Sequence, residues 1–160
     1  MLVSNSHALI KSVQRELEKQ TAALPRKEII AQSLTDTKMV VTHNIDEAID
    51  LLNEYAPEHL ILSCDSAGTI AEKVINAGSV FLGHYSPESA GDYASGTNHT
   101  LPTNGYARMY SGVSVDSFVK KITFQELSET GLKNISATVI LMAEAEGLQA
   151  HAEAVRIRMK

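Results

Sequence analysis

The sequence predicts an α/β fold built on a mostly parallel sheet with helices on both faces, and three observations predict it. Between Lys38 and Leu82, short apolar strand candidates alternate with helical periods at intervals of about twenty residues, the rhythm of right-handed βαβ crossovers. One helical stretch is especially well marked: Asn44 and Glu47 have the form of a capping box, and Ile45, Ala48, Ile49 and Leu52 continue at amphipathic spacing. With 160 residues, 44% hydrophobic and 21% charged, the chain is long enough to bury a core without a disulfide or metal staple.

Taken in order, Leu2 to Ser4 reads as the end of a strand, and Asn5 to Ala22 as a helix with Leu9, Val13 and Leu17 recurring every four residues. Pro25 opens a second short helix through Leu34, since a first helical turn does not need the missing N–H. Lys38 to Thr42 is a strand, Leu60 to Cys64 a buried strand, Ser66 to Ala77 a helix closed by Gly78, and Ser79 to Leu82 another strand. From Gly83 to Gly112 the rhythm breaks into a long segment rich in Gly, Ser, Thr and Asn. Loops of that length are functional or disordered. Tyr85, Tyr93, Tyr106 and Tyr110 supply packing surface that favours order. Phe118 to Phe124 suggests a strand, and the chain from Ser128 onward is helical, interrupted around Gly131 and Gly147. The last stretch, Leu148 to Met159, has only a thin apolar stripe through Leu148, Ala152, Val155 and Met159 and reads as an arm that packs on a partner. The organisation expected is an α/β domain over 1–125 and a helical arm over 126–160.

Composition excludes several classes of function. Lys plus Arg is 14 against 19 Asp plus Glu, a formal charge of −5, with no basic run to attract nucleic acid or an anionic membrane. The longest apolar stretch, Ala137 to Ala143, is far short of the ~20 residues a bilayer crossing needs. Cys64 is alone, which excludes thiolate metal sites and dithiol chemistry and suits a reducing cytoplasm. Neither GxGxxG nor GxxxxGK occurs.

Two groups of residues could carry chemistry. Glu58 and His59 follow Pro57 at the mouth of the strand beginning near Leu60, and proline biases Ala56 toward extended backbone. A carboxylate beside an imidazole can serve as an acid/base pair. The competing reading is a solvated strand edge, since neighbours in a regular strand point to opposite faces. Asp92 and His99 lie seven apart in GDYASGTNH, and His151 lies on the final helix. Asp and His are suitable zinc ligands, while a turn-capping Asp and solvated histidines are the ordinary alternative. His7, His43, His84 and Cys64 read as structural.

YAPEHLIL at 55–62, GSVFLGHYSPESAGDYASGTNHTLPTNGYAR at 78–108, SGVSVDSF at 111–118 and EAEGLQAHAEAV at 144–155 together closely resemble the C-terminal part of the histidinol dehydrogenase family. The resemblance runs along nearly the whole chain. It implies a zinc-dependent enzyme that oxidises L-histidinol to L-histidine through an aldehyde-level intermediate with two NAD molecules, in the last step of histidine biosynthesis. It also implies an incomplete Rossmann-like, aldehyde-dehydrogenase-like layering and a homodimer whose C-terminal arm reaches the other subunit. By the same resemblance His59 takes the alcohol proton and Glu58 activates the water that attacks the aldehyde. Asp92 and His151 are zinc ligands, His59, Asp92, Glu146 and His151 contact substrate, and His99 supports them. Glu146 and His151 are five apart, about 140° around a continuous helix, so Gly147 is expected to redirect the chain between them.

The family's other two zinc ligands are a glutamine and a histidine three positions apart, and no QxxH occurs here. The nucleotide site is likewise expected outside this chain, so that the residues given are a portion of the enzyme and inactive alone. Two alternatives belong to other classes: a dimerising or ligand-binding module of the same fold that has shed catalysis, and a small zinc hydrolase using Glu58 with Asp92, His99 and His151.

Overall fold

The structure, a computed structural model, describes residues 1–159 and forms two compact units, one of Met1–Phe118 and one that begins at Val119. In the first unit, β1 (Leu2–Ser4) pairs with β2 (Met39–Val41), and β3 (His59–Leu62) pairs with β4 (Ser79–Leu82). Both pairings are parallel, as the crossover rhythm predicts. They form two separate two-stranded ladders among the described residues rather than one continuous sheet.

The crossovers are helical. Helix α1 (His7–Ala23) opens on Ser6, whose hydroxyl accepts the Leu9 N–H, and α2 (Lys27–Leu34) follows Pro25. Ile10, rather than the expected stripe residue Leu9, is the buried side chain of α1. Helix α3 (Ile45–Tyr55) is capped by Asn44, whose side chain accepts the Glu47 N–H at 2.8 Å. Glu47 reaches back to the N–H of His43 at 2.7 Å, one residue earlier than a standard capping box. Ile49 of α3 meets Leu60 and Leu62 of β3 and Ala67 in the main core, with Ile45, Leu52, Ile70 and Val80 around them.

Three local expectations are corrected here. Helix α4 covers only Ala67–Ala71, not Ser66 to Ala77. Asn53 captures the chain beyond it: its side-chain oxygen accepts the N–H groups of Ile75 and Asn76, and its amide donates to the Lys73 carbonyl. These cross-links from α3 replace the helical bonds that α4 would otherwise continue. Ala56 is not extended but left-handed, at φ 51, and fully buried. Its N–H closes α3 on the Leu52 carbonyl and aims Pro57 at the start of β3, outweighing a conformational cost of about 1–2 kcal/mol. The four loop tyrosines are exposed, Tyr85 at 98% and Tyr93 at 86%, so they do not supply the packing that orders the segment.

What orders it is backbone approach. Gly83, at φ 83, turns the chain after β4, and α5 (Glu88–Tyr93) comes back over the strands with Gly91 directly on the Phe81 ring. A Cβ at Gly91 would lie 2.6 Å from that ring, and one at Gly78 would lie 2.5 Å from the Glu58 carbonyl oxygen. Further along, Val113 donates its N–H to the Thr100 carbonyl at 3.0 Å, and Arg108 bonds the carbonyl and carboxylate of Glu54 at the end of α3.

The second unit is a helical hairpin preceded by an irregular stretch. No strand forms over Phe118 to Phe124: a 3-10 turn at Val115–Phe118 ends the first unit, and the apolar residues beyond it, Val119, Ile122 and Phe124, are exposed with no strand to pair with. Helix α6 (Glu129–Ala145) runs through Gly131 without a break, because that glycine sits in the first turn and gives its N–H to the Ser128 cap. At its other end Gly147, φ 74, makes a Schellman turn: Gly147 N–H bonds Glu144 O and Leu148 N–H bonds Ala143 O. Helix α7 (Gln149–Arg156) then folds back with Ala152 fully buried, and Arg156 ties the pair through Glu144 and Glu153.

The Gly78 contact gives a direct test of this packing. Gly78→Ala forces either the β3 entrance or β4 to shift, and should lower stability by about 1–3 kcal/mol in urea unfolding. Gly68→Ala, within α4 where a Cβ meets nothing within 4 Å, should leave stability unchanged or raise it by up to about 1 kcal/mol.

Candidate active site

Glu58 and His59 stand at the N-terminal end of β3, a position set by the left-handed Ala56, the buried Pro57 and the bonds from Gly78 and Ser79 N–H to the carbonyls of Pro57 and Glu58. Because β3 runs parallel to β4, this is the end opposite the exit of β4. The return of α5 resolves the resulting separation: it carries Glu88 and Asp92 back to His59.

The His59 ring stacks on Phe81, with centroids 6.0 Å apart and planes at 26°. Carboxylates face both of its nitrogens. Glu58 Oε1 lies 4.0 Å from Nδ1, and Glu88 Oε1 lies 3.8 Å from Nε2. Nε2 is buried and has no hydrogen-bond partner among the described residues. Ligand atoms of His59, Glu88 and Asp92 lie within 4.8 Å of one another, a donor set of nitrogen and carboxylate oxygen suited to a divalent cation. On its other side Glu58 borders a polar cleft of about 660 Å³ formed with Ala56, Thr103, Gly105 and Arg108.

Asp92 is the most enclosed carboxylate of the group, its side chain only 14% exposed. The His99 Nδ1–H donates to it at 2.8 Å. That hydrogen bond, reinforced by one from Glu88, holds the Asp92 carboxyl below the ordinary aspartate value. His99 is correspondingly raised above the ordinary histidine value by Asp92. Glu88, one helical turn before Asp92, is raised by its hydrogen bond with Asp92, then by burial and the neighbouring negative charge. The arrangement therefore sets two carboxyl groups of different acidity side by side, with a histidine behind the more acidic one.

Of the residues singled out from sequence, Glu58, His59, Asp92 and His99 come together in the first unit. Glu146 and His151 are in the second, Glu146 as the last residue of the α6 turn and His151 on the first turn of α7, both exposed. Gly147 lies between them with positive φ, so they do not share a continuous helix. His43 bonds Glu47 on its own turn, and His7 is exposed. His84 bridges Ser63 and Asp65 at the far ends of the strands, and Cys64 lies half-buried against the core. Glu88 was not singled out by the sequence reading. Its signal was there in SPESAGDY: after Pro87, Glu88 and Asp92 fall four apart, on one face of a helix.

Comparison with known proteins places these residues in a wider set. A family model described as histidinol dehydrogenase matches residues 1–159. The chain is 55% identical over 159 residues to a histidinol dehydrogenase of Bacteroides thetaiotaomicron, covering 99% of this chain and 37% of that one. It is 50% identical over 160 residues to a rice protein named "Histidinol dehydrogenase, chloroplastic", covering all of this chain and 34% of the relative. The crystal structure of histidinol dehydrogenase from Elizabethkingia anophelis superposes with a TM-score of 0.93 at 51% identity, over 99% of this chain and 36% of that one. The chain thus spans a little over one third of the length of the relatives it matches.

The Asp92–His99 contact predicts a measurable titration. Its contribution to stability is complete below the free histidine value of 6.5 and above the free aspartate value of 3.8; it fades as pH rises through the raised His99 value, and at the acid end as pH falls through the lowered Asp92 value. NMR titration of the His99 ring should give a midpoint above 6.5 in the parent chain, returning toward 6.5 in Asp92→Asn.

Proposed function

Because the chain belongs to the histidinol dehydrogenase family, we propose that it carries the proton-transfer half of that enzyme's site, acting in histidine biosynthesis on L-histidinol. The observation that supports this reading most is the convergence of Glu58, His59 and Asp92 at one end of the β3–β4 pair, brought about by the return of α5.

His59 accepts the proton of the alcohol as the carbon-bound hydrogen leaves as hydride. Its ring is held for this against the Phe81 face, with the Glu58 carboxylate 4.0 Å from Nδ1. Glu58 opens onto the polar cleft that admits water, and there it takes a proton from the water that adds to the aldehyde-level intermediate. One oxidation at the alcohol level and one at the hydrated aldehyde level each require a proton acceptor, which accounts for two adjacent groups of different kind.

Zinc fits the donors present. By the family resemblance Asp92 and His151 would hold it and Glu146 would meet the substrate, with His99 orienting Asp92 through its hydrogen bond, as the ligating carboxylates of metal sites are held. A metal bound there would supply a fixed positive charge for holding the substrate. A glutamine and a histidine from sequence outside these residues complete the set.

NAD, the hydride acceptor of the reaction, does not fit the described residues. The strand-to-helix turns Ser4–Asn5–Ser6, Thr42–His43–Asn44 and Cys64–Asp65–Ser66 have no glycine, and the turn after β4 has Gly83 alone rather than the GxGxxG run that lets a pyrophosphate approach the backbone. Its site is assigned to the remainder of the protein. The α/β unit is proposed to complete a Rossmann-like layering there, and the α6–α7 arm to reach a second subunit of a homodimer. The lone Cys64 suits a reducing compartment, the cytoplasm in this proposal, and no described helix is long and apolar enough to cross a membrane.

The reading predicts no NADH from histidinol, NAD and zinc with the 160-residue chain alone. Activity should appear when the same residues are joined to the segment bearing the missing Gln and His. In that protein His59→Gln should lower kcat about 10²–10⁴-fold with KM little changed, while Glu58→Gln should release the first NADH and stall at the second. Equal loss of both oxidations in both variants, or full activity of the chain alone, contradicts it.

A further inference from the structure

We propose that Glu88, which neither the motif reading nor the mechanism above uses, is a positioning residue for His59: its carboxyl oxygen accepts the Nε2–H, leaving Nδ1, on the Glu58 side, as the nitrogen that takes the substrate proton. This deepens the dehydrogenase reading and rests on it for the role of His59.

The geometry carries the assignment. A neutral imidazole has one N–H and one bare nitrogen, and which is which is set by the hydrogen bond the N–H makes. Nε2 of His59 is the buried nitrogen, without a partner among the described residues, and a buried donor left unpaired is costly. The acceptor facing it is Glu88 Oε1 at 3.8 Å. A side-chain rotation that closes this gap by about 1 Å makes a full hydrogen bond. Phe81 occupies one face of the ring, and Glu58 stands 4.0 Å from Nδ1 at the opposite edge, so the burial of Nε2 is what distinguishes the two nitrogens.

Glu88 is itself held. It begins α5 directly after Pro87, one helical turn before Asp92. Glutamine at position 88 keeps an oxygen for His59, whereas leucine keeps the approximate volume and no acceptor.

The test reads the ring rather than the reaction. Nitrogen-15 shifts of His59 in the histidine-labelled 160-residue chain, taken in alkaline buffer where imidazoles are neutral, report which nitrogen carries the proton. The parent chain and Glu88→Gln should show the Nε2–H form alone. Glu88→Leu should relax to the tautomer mixture of free imidazole, with an unfolding midpoint close to that of Glu88→Gln. The same mixture in parent and Glu88→Leu, a parent ring protonated on Nδ1, or added zinc displacing the Nε2 proton to bind there, each overturns the proposal. None of these readings depends on turnover, so failure of the dehydrogenase assay and failure of this assignment are separate results.

Discussion

The site depends on one close approach: the segment after β4 folds back over the strands it has just left, and it can do so only because two positions in its path lack side chains. At Gly91 the helix backbone rests on the Phe81 ring, and at Gly78 the start of β4 lies against the Glu58 carbonyl, at separations that no Cβ would permit. Parallel pairing places Glu58 and His59 at one end of β3 while β4 delivers the chain to the other. Without the return, Glu58 and His59 would stand at the opposite end of the ladder from Asp92. With it, Phe81 is shared: one side chain supports both the imidazole and the helix that brings the carboxylates.

That constraint explains why the segment is glycine-rich yet ordered. The tyrosines that make it look packable are exposed, and order comes instead from main-chain bonds such as Val113 to Thr100 and from Arg108 clasping the end of α3. Arg108 and the left-handed Ala56 act on the same junction from two sides. They determine where β3 begins, and hence that Glu58 borders a polar cleft while His59 turns toward α5.

Much of the first unit was legible because its signals are local. The Asn44 cap, the 3.6-residue period of α3 and the alternation of strands with crossovers each need only a few neighbouring residues to be read, and parallel pairing follows from them. The misses were tertiary. Nothing near Ala71 in sequence announces that Asn53, on another helix, will take the N–H groups of Ile75 and Asn76 and end α4 early. Phe118 to Phe124 has strand-like composition, but composition cannot supply a neighbouring strand. The site was legible as motifs and not as geometry: Glu58, His59, Asp92 and His99 stand out by type and spacing, whereas Glu88 becomes visible only once α5 is laid across Phe81. The second unit shows the reverse case, where a single glycine between Glu146 and His151 foretold a turn that the structure contains.

The most direct measurement of the central claim is a crystal structure of the complete protein containing these residues, grown with zinc and histidinol. The account predicts the substrate hydroxyl within hydrogen-bond distance of a His59 nitrogen, Asp92 and His151 on the metal, and Glu146 against the substrate. A metal held instead by His59, Glu88 and Asp92, with the hydroxyl remote from His59, would contradict it.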